Sequence, residues 1–546
     1  MPSDLKIEQS TPKEPIGDVA ARLGLEEDDF LPHGRYIAKL PHSILQKYRR
    51  RTNGHLVLVT AMSPTPSGEG KTTTSVGLAD ALNRIGERTC VAIREPSLGP
   101  YFGIKGGGTG AGYAQVVPAE DINLHFTGDI AAVSKAANLL AAVIDNHMHH
   151  GNVLGIDQRR ITWKRVVDLN DRALREVVIG LGGPQHGIPR KDGFFIAPAS
   201  EVMAILCLAT SFADLRKRIQ KIIIGYTRKR KPVTCAQLGV DTAMAILLRD
   251  AILPNLVQTL EHTPAIVHGG PFANVAHGCS SVLATRMGLR LCDFVITEAG
   301  FGSDLGAEKF FDLKCRSAGL EPAAAVIVAT LKAVEFHGGY KSGGGWDNLS
   351  RHIDTVRAFG IEPVVAINRF PDDKPAGLSR LKKACAKKKV RCEYSEVYAK
   401  DSRGGERLAR AVVEVANARR TKKFKFLYAE KMPLRKKIET IAVKIYKAAR
   451  VHFSAAAERD LRHFEAMGFG NFPICMAKTP MSFTDNPKIH GAPKDFSIEI
   501  NEVMLSAGAG FVVAIAGQVI PMPGLPKEPA ALRMRIDKDG NLMEQA

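Results

Sequence analysis

The chain has 546 residues, a formal net charge of +19, 45% hydrophobic residues and 24% charged residues. This ordinary globular balance supports a sizeable core, and at about 150 residues per domain it suggests three or four domains, or fewer large ones. No uninterrupted apolar run approaches the ~18 residues that span a bilayer, and none of the nine cysteines stands in a C-x-x-C or zinc-ligand spacing, which excludes a spanning helix and a zinc motif.

The scattered cysteines fit a reduced, cytoplasmic setting. The start, Met1-Pro2-Ser3-Asp4-Leu5-Lys6, lacks the apolar core of a signal peptide. Basic residues cluster over 216–231, 380–391 and 419–425. Such an excess attracts polyanions, but these clusters carry no interleaved aromatics for stacking bases. Solvated helix faces are the preferred reading, with neither nucleic acid nor membrane expected as a partner.

Residues 1–50 read as a polar lead-in with a helix near Ile44–Arg51. Leu56-Val57-Leu58-Val59 reads as a strand. It leads into Thr65-Pro66-Ser67-Gly68-Glu69-Gly70-Lys71-Thr72. Helical spacing of Val76, Ala79, Leu82 and Ile85 follows, with Gly86 as the stop. A strand, a Gly-rich loop and a helix N-terminus point backbone N–H groups at an anion. In such a loop Lys71 places its ammonium on β- and γ-phosphate oxygens, and the Thr72 hydroxyl ligates Mg²⁺. The common motif has glycine where this chain has Thr65, so the loop is a variant.

The second strand is expected at Thr89–Ile93, running into Arg94-Glu95-Pro96-Ser97-Leu98-Gly99-Pro100. Ligands of open parallel sheets gather beyond the carboxyl ends of strands. Arg94 and Glu95 are therefore candidate site residues, with a structural ion pair as the alternative. Lys105-Gly106-Gly107-Gly108-Thr109-Gly110-Ala111-Gly112-Tyr113 follows, and its glycines permit close approach to a ligand. Asp129 is a candidate carboxylate for metal or nucleophile; a cap on the next helix is the alternative.

Further on, short β-branched runs alternate with helical stretches: Ala265–His268, Asp293–Thr297, Ala325–Val328 and Val364–Ile367. Most end in polar or glycine-rich loops. The pattern predicts a doubly wound α/β domain with its site on one edge of a mostly parallel sheet. Residues 374–420 look charged and helical, and a Pro- and Gly-rich segment covers 506–529.

Taken together, these motifs resemble the formate–tetrahydrofolate ligase family from about Arg35 to the C-terminus. The blocks that carry the resemblance are Thr65–Thr74, Arg94–Pro100, Ile161-Thr162-Trp163-Lys164-Arg165-Val166, His268–Asn274, Thr297–Gly302 and Met522-Pro523-Gly524-Leu525-Pro526. The chain departs from the family pattern in four places. Gly108 and Thr109 stand for two alanines and Ala111 for a glycine. Lys332 and Glu335 stand where Arg and Lys are usual. The stretch from Tyr340 to Asp347 looks shortened. Tyr398 stands for a tryptophan.

The resemblance implies a P-loop NTPase-like, doubly wound sheet with additional smaller α/β domains. The expected division is 1–365 for nucleotide and formyl phosphate, 366–470 contributing to the folate site, and 471–546 as a small C-terminal unit. It implies ATP-dependent joining of formate to N10 of tetrahydrofolate through formyl phosphate, with release of ADP and phosphate. Lys71 and Mg²⁺ would hold the transferring phosphoryl group, Arg94 would hold formate and then formyl phosphate, and Glu95 or Asp129 would take a proton or orient the metal. Lys105, Gly106, Gly107 and Tyr113 would line the site, and Phe370 and Tyr398 would stack on the folate. MgATP, tetrahydrofolate, an activating K⁺ or NH₄⁺ and a homotetramer complete the expectation. Two other readings remain at this point: a nucleotide switch docking on nucleic acid, and a related acyl-phosphate-forming ligase with another substrate.

Overall fold

Leu56, Val57, Leu58 and Val59 are all buried, so this run is covered on both faces. Its neighbours behave alike and assemble a large sheet in the computed structural model, which describes residues 2–104, 107–338, 344–418, 423–540 and 542–544. In chain order the parallel strands are β1 (His55–Ala61), β2 (Thr89–Ile93), β3 (Pro264–Val267), β4 (Phe294–Glu298), β5 (Pro322–Ala329), β6 (Pro363–Asn368) and β7 (Arg391–Ser395). They lie in the order β3-β2-β4-β1-β5-β6-β7, with every neighbouring pair parallel. Beyond β3 the sheet turns antiparallel: Asn255–Thr259 pairs with it, and Ala38–Lys39 and Ala114–Val117 pair with that strand.

Side chains alternate between two cores, as a period of two requires. Leu56, Leu58, Ala92 and Ile327 enter one cluster. Val57, Val59, Val91 and Val326 enter the other. Helix α1 (Lys71–Arg84) supplies Val76 and Leu82 to the second core. The first core takes Val133 and Leu140 from α2 (Asp129–His149) and Met287 from α3 (Val282–Leu291). Helix α4 (Glu406–Asn417) packs Leu408 and Val412 into the second core. Helices therefore cover both faces.

Strands expected from apolar runs form within a few residues of their sequence limits. The helix expected near Ile44–Arg51 is only Ser43–Lys47. The charged stretch expected to be helical contains β7 between two helices. β7 is the edge strand, so Arg391 and Glu393 need not be apolar.

A separate four-stranded sheet lies near the C-terminus. It comprises β8 (Arg450–Phe453), β9 (Ile474–Ala477), β10 (Ser497–Ser506) and β11 (Phe511–Ala516), in the order β8-β10-β11-β9. β10 and β11 are antiparallel and the outer pairs are parallel. The large sheet thus runs past residue 365, through β6 and β7, and the small sheet begins before residue 471.

Candidate active site

Five neighbouring strands deliver their carboxyl ends to one edge of the sheet: β2, β4, β1, β5 and β6. β1 leads into Thr65–Thr72, the loop expected from sequence to bind phosphate. Gly68 N donates to Thr65 O at 3.1 Å to form its tight turn. The buried Glu69 carboxylate accepts from Thr65 N at 2.8 Å and from Thr330 Oγ1 at 2.7 Å. Glu69 is therefore turned inward and braces the loop. Gly70 caps α1 at φ 71°, and a Cβ there would lie 2.4 Å from Asn368 Nδ2, so both backbone angle and space require glycine. Asn368, at the end of β6, donates to Glu69 O at 3.1 Å.

The base of the loop is held from below. Ser63 Oγ and His352 Nε2 are 3.0 Å apart, and Asn348 Nδ2 donates to Ser63 Oγ at 3.0 Å. Burial lowers the His352 pKa to about 3, so the imidazole is neutral at pH 7. Past the loop, Lys71 opens α1 and Thr72 donates its hydroxyl to Glu298 Oε2 at 2.9 Å.

Glu298, the last residue of β4, connects two expected site residues. Its other oxygen, Oε1, lies 3.9 Å from Arg94 Nη2. Arg94 Nη1 donates to Pro271 O at 3.3 Å, while its Nε is buried without an acceptor among the described residues. Gly300 leaves room for this guanidinium, since a Cβ there would sit 3.3 Å from Nη2 and 2.7 Å from the Ala273 Cβ. Phe301, next along, has φ 64°, a conformation held by its surroundings.

Glu95 points elsewhere. It is buried, and its Oε2 has no partner among the described residues. Burial, reinforced by the Asp129 carboxylate and opposed by Lys39, pushes its carboxyl well above the usual range. Asp129 itself is committed: Lys39 Nζ donates to Oδ1 at 2.6 Å and Asn255 Nδ2 to Oδ2 at 2.8 Å. It opens α2, so it also favours that helix end.

The glycine loop packs between these parts. Lys105 and Gly106 lie outside the described residues, as do 339–343 in the shortened stretch. A Cβ on Gly108 would meet Pro96 at 2.9 Å, and Gly108 N donates to Asn123 Oδ1 at 2.8 Å. Gly107 also abuts Asn123, where a Cβ would lie 2.4 Å from Nδ2. Tyr113 N donates to Tyr398 O at 3.0 Å. Gly112 has φ 62°, and its missing Cβ would fall 2.2 Å from that same Tyr398 carbonyl. Tyr398 and Tyr113 are each 36% exposed, so both keep open ring surface. Phe370 is half-buried just past β6, with Lys332 Nζ 4.7 Å over its ring and held by Asp372 at 3.3 Å.

A sequence profile of formate–tetrahydrofolate ligase matches residues 2–544. The chain belongs to the formate–tetrahydrofolate ligase family. An enzyme of that name from Paracoccus denitrificans (strain Pd 1222) is 55% identical over 553 aligned residues, covering 99% of both chains. One from Staphylococcus aureus (strain NCTC 8325 / PS 47) is 53% identical over 550, covering 99% of this chain and 98% of its own. Among the described residues, no helix is long and apolar enough to cross a membrane.

Two of the departures from that family pattern have local contacts. Thr109 is buried where the pattern has alanine, and Asn123 Nδ2 meets its hydroxyl at 3.4 Å. Lys332 covers one side of the Phe370 ring. Several basic residues of the sequence clusters are ion-paired, including Arg216 with Asp241 and Lys388 with Asp354. Sequence reasoning missed Glu298, Asn368, Thr330 and the Lys39–Asn255 clasp on Asp129. Position at a strand end was the available signal for Glu298 and Asn368; the clasp had none, because its members are far apart in the chain.

Proposed function

We propose that this chain makes 10-formyltetrahydrofolate in two steps through formyl phosphate. Family membership gives the overall reaction, ATP-dependent ligation of formate to tetrahydrofolate. In the first step a formate oxygen attacks the γ-phosphorus of ATP, the bond to the β–γ bridging oxygen breaks, and ADP leaves. In the second, N10 attacks the formyl carbon, the C–O bond to phosphate breaks, and inorganic phosphate leaves with that electron pair.

Phosphoryl transfer needs positioning and charge neutralisation more than covalent help. Backbone N–H groups of Glu69–Thr72 and the Lys71 ammonium serve the β- and γ-phosphates. The Thr72 hydroxyl and Glu298 carboxylate are hard oxygen donors set side by side, which fits a magnesium ion arriving with ATP. Such an ion supplies charge neutralisation at the phosphates. Arg94, a planar fork of donors with an unsatisfied Nε, orients formate and then formyl phosphate. Glu95 takes the N10 proton, its proton affinity raised by burial and by the neighbouring Asp129 carboxylate. Phe370 and Tyr398 stack on the folate ring, with Tyr113 beside them.

The observation that carries this reading is the Glu298 carboxylate, which joins the phosphate-loop Thr72 to Arg94. The finer expectations belong to the same proposal: a P-loop NTPase-like main sheet, a three-part division of the chain, activation by K⁺ or NH₄⁺ and a homotetramer. The test is formate-dependent ADP release and formation of 10-formyltetrahydrofolate from MgATP, formate and tetrahydrofolate, with and without K⁺. Lys71→Ala is expected to lower kcat by roughly a hundredfold or more. Protein that releases ADP without formate, or makes no formylated folate, sinks the proposal.

A further inference from the structure

A cleft of about 520 Å³ opens at the opposite edge of the sheet, lined by Arg51, His55, Arg88, Arg290 and Asp293 among others. Its position follows from strand direction. His55 opens β1, Arg88 immediately precedes β2, and Asp293 immediately precedes β4. The same three strands end at the phosphate loop, Arg94 and Glu298. At about 3.3 Å per residue, the two edges stand roughly 20 Å apart.

The charges do not cancel. Arg88 Nη2 donates to Asp293 Oδ1 at 3.1 Å. The guanidinium of Arg290 donates to the Arg51 carbonyl. Arg51 stacks over Tyr48 at 4.2 Å, and its Nη1 is buried without an acceptor among the described residues. A guanidinium carries five N–H donors, so these contacts leave several unspent. Arg88 and Arg290 line the cleft beside one carboxylate and the C-terminal end of α3, which carries about half a negative charge, while the Arg51 guanidinium packs against Tyr48 and Gly24 and adds its charge from there. A positive surplus remains, and a recess concentrates its field more than a flat surface does.

We propose that this cleft is a second anion site, for a small phosphate-bearing ligand carrying at least two negative charges. Guanidinium forks match phosphate oxygens in pairs. The volume falls within the ~300–1,000 Å³ of small-molecule sites. The site is separate from the catalytic edge and stands whatever reaction occurs there.

Titration calorimetry with inorganic pyrophosphate tests it, using full-length Lys71→Ala protein so that the phosphate loop is disabled. One equivalent is expected to bind. Adding Arg88→Gln and Arg290→Gln together is expected to weaken binding about tenfold or more, since each removes charge-assisted hydrogen bonds. Adding Asp293→Asn instead removes the opposing carboxylate and is expected to tighten binding about threefold; a misfolded protein cannot produce that gain. No pyrophosphate binding by the Lys71→Ala protein, or unchanged affinity in the double arginine variant, overturns the proposal. In the otherwise native chain, Arg88→Gln with Arg290→Gln is expected to leave formate-dependent turnover unchanged.

Discussion

At the residue scale, a single carboxylate organises the candidate site. Glu298 touches Thr72 with one oxygen and faces Arg94 with the other. Glu298→Gln keeps the shape and removes the charge. Thr72 can still donate, but Arg94 loses its countercharge and any magnesium loses an anionic donor. The expected result is a fall in kcat of roughly ten- to a hundredfold, with less Mg²⁺ sensitivity in the remaining rate; steady-state kinetics across a Mg²⁺ series checks it. Tyr398 offers a different kind of test. A stacked aromatic pair contributes about 0.5–1.5 kcal/mol. Tyr398→Trp is therefore expected to lower the KM for tetrahydrofolate by a few-fold, and Tyr398→Ala to raise it, with kcat changing less in both. Equal KM values across the three proteins would remove Tyr398 from the folate site.

At the element scale, one half-buried carboxyl ties helix Glu201–Leu208 to the turn between β10 and β11. Gly508 N and Ala509 N donate to Glu201 Oε1 at 2.7 and 3.3 Å. Burial outweighs these bonds and raises the Glu201 pKa to about 7. Its unfolded value is about 4.3. The folded chain therefore holds this proton more tightly, and the resulting stability is fully present below about 4.3 and lost as pH rises through about 7. Glu201→Gln mimics the neutral acid and has no proton to lose. Relative to the native chain, its stability is expected to rise between pH 5 and pH 8, by on the order of 3 kcal/mol. Denaturant unfolding at the two pH values measures this. Elements also differ in how openly they declare themselves. β1, β4, β5 and β6 are apolar runs because both faces are covered. β7 is polar and half-exposed at the sheet edge, and its charged residues read as helix.

At the scale of the whole molecule, the small C-terminal sheet is anchored beside the site by charge. Lys478 immediately follows β9, and its Nζ lies 3.0 Å from Asp304 Oδ2, with both side chains fully buried. Asp304 follows the Glu298–Gly302 loop that carries the site. Removing one partner strands the other charge in the core, which commonly costs about 3–5 kcal/mol. Lys478→Met is expected to destabilise the protein by that amount in denaturant unfolding. Adding Asp304→Asn is expected to recover part of it, because the buried charge is gone. If the single and double variants lose the same stability, the pair is not what joins the small sheet to the large one.

By itself the sequence determined the local units: the strand, loop and helix around Lys71, the strand ends at Arg94 and Glu95, and the apolar runs of a sheet covered on both faces. Each depends on neighbours within a dozen residues, through hydrogen bonds, turn angles and side-chain period. Tertiary structure alone decided which ends meet. Glu298 reaches Thr72 across 226 residues, Asn368 braces Glu69 across 299, and Lys39 and Asn255 clasp Asp129. Strand order set those meetings, and strand order depends on how distant apolar faces pack, which no short stretch of residues encodes.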